Sequence, residues 1–156
     1  MLEEVVRRYD GKLAFALCPA PLNNQCNPFI PQNVEAFKDS CDLAKIALAV
    51  WAAQPAAFSD FDRWMFSPEP GHLWHPRSLE DATAKAIELV SQSKYDSART
   101  DPRVDRHLQT SVRLFGATGA NAVPKLVFGS RWVNPEPNDA DDLLLILQGS
   151  LAVPKP

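Results

Sequence analysis

The stretch Ala122-Val123-Pro124-Lys125-Leu126-Val127-Phe128-Gly129-Ser130-Arg131-Trp132-Val133 decides how the rest of this 156-residue chain is read. Val123–Phe128 has the apolar, β-branched character of a strand, Gly129-Ser130 makes a two-residue turn, and Arg131–Val133 pairs back as a hairpin. Proline cannot donate to a ladder, so Pro124 is tolerated only at the head of a strand or on a sheet edge.

Working outward from the hairpin, the pattern turns helical on both sides. Upstream, Asp101-Pro102 opens a helix to Phe115 with Val104, Leu108, Val112 and Phe115 inward, and Gly116 and Gly119 are candidates for its stop. Downstream, Asp139 or Asp141 begins a helix through Leu147, ended by Gly149. Earlier still, Ser40 is placed to cap a helix over Cys41–Ala53, with Leu43, Ile46, Ala47, Val50 and Trp51 at helical spacing. Pro55 suits the first residue of a short helix with the stripe Phe58, Phe61, Trp64 and Met65, and Ser78 with Asp81 caps another through about Ser91.

At the start, Leu2–Tyr9 has helical composition without a capping residue before it, Asp10-Gly11 supplies a turn, and Lys12–Leu17 reads as a short strand buried on both faces. Cys18–Asp39 is an irregular excursion carrying Pro19, Pro21, Pro28 and Pro31, with turn chemistry at Asn23-Asn24 and Asn27-Pro28. The order is therefore helix, strand, helices, strand, strand, helix, an α/β (α+β) layout with no internal repeat. The uncapped first helix leads to the expectation that sequence upstream of Met1 is missing.

Composition narrows the function classes. A hydrophobic fraction of 46% and a net charge of −3 describe an ordinary folded domain, and the scattered Lys and Arg give no nucleic-acid footprint. The longest apolar stretch, Ile46–Ala53, is too short to span a bilayer. Thirteen of the fourteen prolines, all but Pro102, gather at 19–31, 55–76 and 124–156, where they mark irregular connections. Three cysteines, Cys18, Cys26 and Cys41, share one 24-residue window; an odd count leaves at least one thiol outside any internal pair. Their clustering favours a local disulfide and an extracytoplasmic, oxidising compartment over the cytoplasm.

Taken together, Tyr9-Asp10-Gly11-Lys12-Leu13, the helical stretch Cys41–Phe66 with Phe58-Ser59-Asp60-Phe61-Asp62-Arg63-Trp64-Met65-Phe66, and Asp101-Pro102-Arg103-Val104-Asp105 through Ala122-Val123-Pro124 resemble the later part of a DsbA-like thioredoxin-fold domain. More narrowly, Cys18-Pro19 with Cys26-Asn27-Pro28 and Cys41 is similar to the thioredoxin-like domains that accompany bacterial vitamin K epoxide reductase-type membrane proteins. The resemblance implies a thioredoxin-like fold over residues 1–153 as a single domain, with a helical insertion at about 40–118 and a tail at 154–156. It implies thiol–disulfide oxidoreductase activity on protein thiols or disulfides, a membrane redox partner as a further candidate, and no cofactor, metal or nucleic acid.

The departure from that family is large. Seven residues separate Cys18 from Cys26 and fourteen separate Cys26 from Cys41, so no Cys-x-x-Cys is present. The family's dithiol sits at a helix N-terminus, where the dipole favours the thiolate. The resemblance places that pair, and a central strand between Leu13–Leu17 and Leu126–Phe128, outside this chain. It follows that the chain alone is inactive, and that its strands are left with open edges.

Pro124 is the sharpest candidate position. The resemblance implies a cis Val123–Pro124 bond and substrate backbone contacts at Val123; the plainer alternative is a trans proline opening an edge strand. Cys18, just beyond its strand, is a candidate electron relay, against a structural cysteine in a local disulfide. Of three pairings, Cys18–Cys26 closes the shortest loop and is the expected one, leaving Cys41 as a small buried residue. The cysteines with His72 or His75 match no common zinc spacing. Trp51, Trp64, Trp74 and Trp132 can line a peptide groove but more often serve packing. The competing function class is a non-catalytic thioredoxin-like module that binds a peptide or partner.

Overall fold

The computed structural model describes residues 1–67, 77–120 and 122–156. His72, Trp74 and His75 lie outside the described residues. The chain divides into two compact units: Met1–Leu17 with Thr118–Pro156, and Cys18–Ala117 inserted between those segments. The insertion, expected at about 40–118, is in this division the unit Cys18–Ala117. The cause is local, since the irregular stretch after Cys18 is tied to the helices that follow it.

The inserted unit is helical. Its helices are α2 (Ser40–Ala53), α3 (Pro55–Phe66), α4 (Leu79–Val90), α5 (Gln92–Arg99) and α6 (Pro102–Ala117), after α1 (Leu2–Arg8) of the other unit. Helix α2 packs against α3, α4, α5 and α6. A helix surrounded in this way buries more than one stripe. Ala44, Leu48 and Ala49 are buried beside the expected Ile46 and Val50, whereas Trp51 is exposed. Ser40 is not the cap: Asp39 precedes the helix without a side-chain cap, Ser40 is its first residue, and the Ser40 hydroxyl has no partner among the described residues.

Other ends follow the expected chemistry. Pro55 is the first residue of α3, as its fixed φ suits. Ser78 Oγ accepts from Asp81 N at 3.0 Å and its hydroxyl donates to the Asp81 carboxylate at 2.6 Å. Helix α4 stops at Val90, and α5 follows after Ser91, which takes φ +73°. The sequence reading assigns nothing to α5, because only Tyr95 and Ala98 are buried along it. Helix α6 buries Val104, Leu108, Val112 and Phe115, the expected face, together with Ser111.

Asp62, half-buried on α3, bears on pH dependence. Burial pushes its carboxyl above the ordinary range. A raised folded-state value means the folded protein binds more protons than the unfolded chain between the two values, so this contribution makes stability fall as pH rises through them. The penalty is present in full above the folded value and vanishes below the unfolded one. Asp62→Asn is therefore expected to stabilise at pH 7 and to lose that advantage as the pH falls below the ordinary carboxylate range, measured by urea unfolding at each pH. An equal gain at both pH values would contradict it.

The other unit is small and mixed. Helix α7 (Ala140–Gly149) packs on α1, and β1 (Leu126–Phe128) pairs antiparallel with β2 (Arg131–Val133). Phe128 faces Arg131 across Gly129-Ser130; Gly129 has φ +60°, as the first central residue of a II′ hairpin turn requires. The core holds Val5, Tyr9, Leu143, Leu147, Leu151 and Val153, with Leu13, Phe15, Leu126 and Val133 packed against it. Asp139 caps α7 by accepting from Asp141 N and Asp142 N at 2.9 Å each. Arg8 joins the two helices, donating to Glu4 and to Asp141. Hydrogen bonds from Arg7 and then Arg8 hold the Glu4 carboxyl down to about 2.

The expected strand at Lys12–Leu17 is not a strand. Leu13 and Phe15 alternate inward as a strand's residues would, but Leu13–Leu17 makes no backbone hydrogen bond among the described residues. An extended segment becomes a strand only when a neighbour supplies the ladder, and none of the described residues does. The architecture of the described residues is α+β, helices with one two-stranded sheet.

Candidate functional site

The Val123–Pro124 segment is reached from α6 through a tight exit. Gly119 and Ala120 both take left-handed backbone conformations, with φ +91° and +48°. The next described residues lead into the Val123–Pro124 peptide bond, which is cis. Val123 is 44% exposed. Its amide and carbonyl have no hydrogen-bond partner among the described residues. An exposed donor and acceptor that no described residue pairs can take an extended peptide by main-chain pairing.

What surrounds that residue is more ordered. Asn134 Nδ2 donates to the Pro124 carbonyl at 2.7 Å, closing the open end of the hairpin. Lys125 Nζ donates to the Thr118 carbonyl at 2.6 Å and lies 4.9 Å from the centre of the Trp132 ring. Lys125 thereby ties the hairpin to the chain that leaves α6. On the outer face of the sheet, Val127 and Trp132 face each other and are both exposed, while Leu126 and Val133 face the core. Neither Lys125 nor Asn134 was a sequence candidate. Asn134 gave a weak signal, a polar residue directly after the second strand, where it can reach a carbonyl of the first.

The cysteines are arranged otherwise than expected. Cys26 is bonded to Cys41 across a Cα–Cα distance of 6.0 Å, and Cys18 is free and exposed. This replaces the Cys18–Cys26 pairing. Loop closure favours the shorter loop only in an unstructured chain, whereas folded geometry here is set by two buried asparagines. Asn23 Oδ1 accepts from Gln25 N at 2.8 Å, and its Nδ2 donates to the Lys38 carbonyl at 2.6 Å. Asn27 Oδ1 accepts from Phe29 N at 3.2 Å, and its Nδ2 donates to the Pro21 carbonyl at 2.8 Å. These turns fold Cys26 back onto the start of α2, where Cys41 is buried. Asn-Asn and Asn-Pro read as turns in the sequence; that both side chains are buried crosslinks was not legible from them.

Cys18 belongs to the inserted unit, and Val123 with Pro124 to the other. Trp51 is exposed and meets the His107 ring edge-on at 5.3 Å, and Trp64 lies under the Arg77 guanidinium at 4.6 Å. Trp64 lines a shallow surface pocket with Arg77, Asp81, Ala84, Lys85 and Glu88. Among the described residues no helix is long and apolar enough to cross a membrane. Comparison with known proteins gives no match, whether to a family model, a curated protein or a solved structure.

Proposed function

We propose that this chain is a thioredoxin-like domain of the thiol–disulfide oxidoreductase class, contributing polypeptide recognition at Val123–Pro124 to a reaction whose Cys-x-x-Cys the chain does not contain. The observation that carries the reading is the state of Val123: exposed, with its amide and carbonyl unpaired among the described residues, directly before a hairpin that packs on the same core as α1, Leu13, Phe15 and α7. That order of elements is the one the resemblance implies for the fold's later part. Its ligand is an extended segment of an unfolded protein carrying thiols or a disulfide. An extracytoplasmic compartment, where protein disulfides persist, fits both that substrate and the Cys26–Cys41 bond.

Two measurements test it. Reduced, unfolded ribonuclease added in excess should shift the amide resonances of Val123, Lys125 and Val127 and leave those of α4 unmoved. In an insulin-reduction assay the chain alone should be inactive, because no dithiol pair is present to exchange. Unmoved resonances at Val123 would remove the recognition role, and turnover of insulin would mean that Cys18, or the reduced Cys26–Cys41 pair, exchanges unaided. Thiol titration is expected to find one reactive thiol per native chain and three after reduction.

A further inference from the structure

The irregular stretch between Cys18 and α2 is held in an unusual way. From Pro28 to Lys38 only Ile30 and Phe37 are even half-buried, and the 3-10 turn Glu35–Phe37 buries no residue. The asparagine crosslinks, and the bond from Asn24 N to Asn33 Oδ1 at 2.8 Å, run within the stretch itself. Beside a 3.7 Å contact of the Cys41 sulfur with the Asn23 carbonyl, which lies upstream of residues 27–39, two further attachments reach the helices among the described residues. One is the Cys26–Cys41 disulfide; the other is the ring of Phe29 laid over Gly116 of α6, where an added Cβ would stand 2.2 Å from it. Phe29 is itself exposed. Little apolar burial therefore opposes release of this segment once the covalent tie is cut.

The two sulfurs differ in access. Cys41 is buried at the start of α2, whereas Cys26 is half-buried. Thiol–disulfide exchange proceeds at the sulfur an attacking thiolate can reach. We propose that the Cys26–Cys41 bond is a redox latch: reduction frees residues 27–39 from the helices and uncovers the α6 surface around Gly116, while α2 to α6 stay folded. This inference is independent of the reading of Val123–Pro124.

The reductant is a dithiol. One of its thiolates attacks Cys26 Sγ, the Cys26–Cys41 bond breaks, and Cys41 leaves as a thiolate that takes up a proton. The donor's second thiol then displaces Cys26 from the mixed disulfide, so the donor becomes a disulfide and two electrons and two protons pass to the protein. Reoxidation by a disulfide of the same class closes the latch.

Hydrogen exchange on the whole chain, oxidised and in dithiothreitol, tests this directly. Reduction should speed exchange over residues 27–39 by about tenfold or more while α2 to α6 retain their protection. The variant Cys26→Ser/Cys41→Ser, without reductant, should keep the helical circular dichroism yet be cut by trypsin after Lys38 about tenfold faster than the parent. Two results would overturn the latch. One is unchanged exchange over 27–39 after reduction; the other is loss of helix protection together with the loop, which would make the disulfide a plain stabiliser of the whole unit.

Discussion

Phe61→Ala is expected to destabilise the inserted unit by about 3–5 kcal/mol, the cost of emptying a fully enclosed aromatic site. Phe61 is 0% exposed on α3, where α2 and α4 pack, and its ring lies 5.9 Å from that of Trp64. Truncation loses the transfer energy of the ring and leaves a cavity in the core cluster that Phe61 shares with Ala49, Val50, Ala82 and Ala86. On the same helix Phe66 is 63% exposed, so Phe66→Ala should change stability by no more than about 0.5 kcal/mol. Urea unfolding followed by circular dichroism distinguishes the two. A lower midpoint with an unchanged slope identifies a stability effect, and a loss below about 1 kcal/mol for Phe61→Ala would show that the site collapses instead of remaining open.

The contrast between these two phenylalanines shows what the sequence could reveal. Phe61 stands in a helical stripe with Trp64 and Met65, and that period is visible without coordinates. The same holds for Val104, Leu108, Val112 and Phe115 on α6, and for the helix starts at Pro55 and Ser78, because each depends on residues within one or two turns; before α7 both Asp139 and Asp141 fit the pattern, and Asp139 is the cap. Helix α5 was not legible, since eight mostly polar residues carry only two buried positions. The central place of α2 was hidden for a different reason: how many neighbours a helix has is a tertiary fact. Leu13–Leu17 has a strand's composition and alternation, and no local signal says whether a partner strand is there.

The site divides along the same line. A proline before a hairpin is a local feature, and Val123–Pro124 could be singled out from order alone. The pairing of cysteines could not, because it depends on where Asn23 and Asn27 turn the chain, and both side chains act through carbonyls six and fifteen residues away. Lys125 likewise holds Thr118 by a contact seven residues back. Interactions of that reach follow from the fold and do not announce themselves in spacing.

Leu143→Ala should lower the stability of the smaller unit by about 2–5 kcal/mol. Leu143 is 2% exposed on α7 and belongs to a core of six buried residues with Val5, Tyr9, Leu147, Leu151 and Val153. Few side chains share that burial, so one deletion removes a larger fraction of it than the same change removes from the helical unit. Two residues on, Leu145 is 69% exposed, and Leu145→Ala should be within about 0.5 kcal/mol of the parent. Because Leu13, Phe15, Leu126 and Val133 rest on the same core, the loss should spread beyond α7. Native-state hydrogen exchange should show faster opening in α1, α7 and the hairpin amides. Protection that falls in α7 alone would mean that the hairpin does not depend on this core, and that Val123–Pro124 is held in place by Lys125 and Asn134 instead.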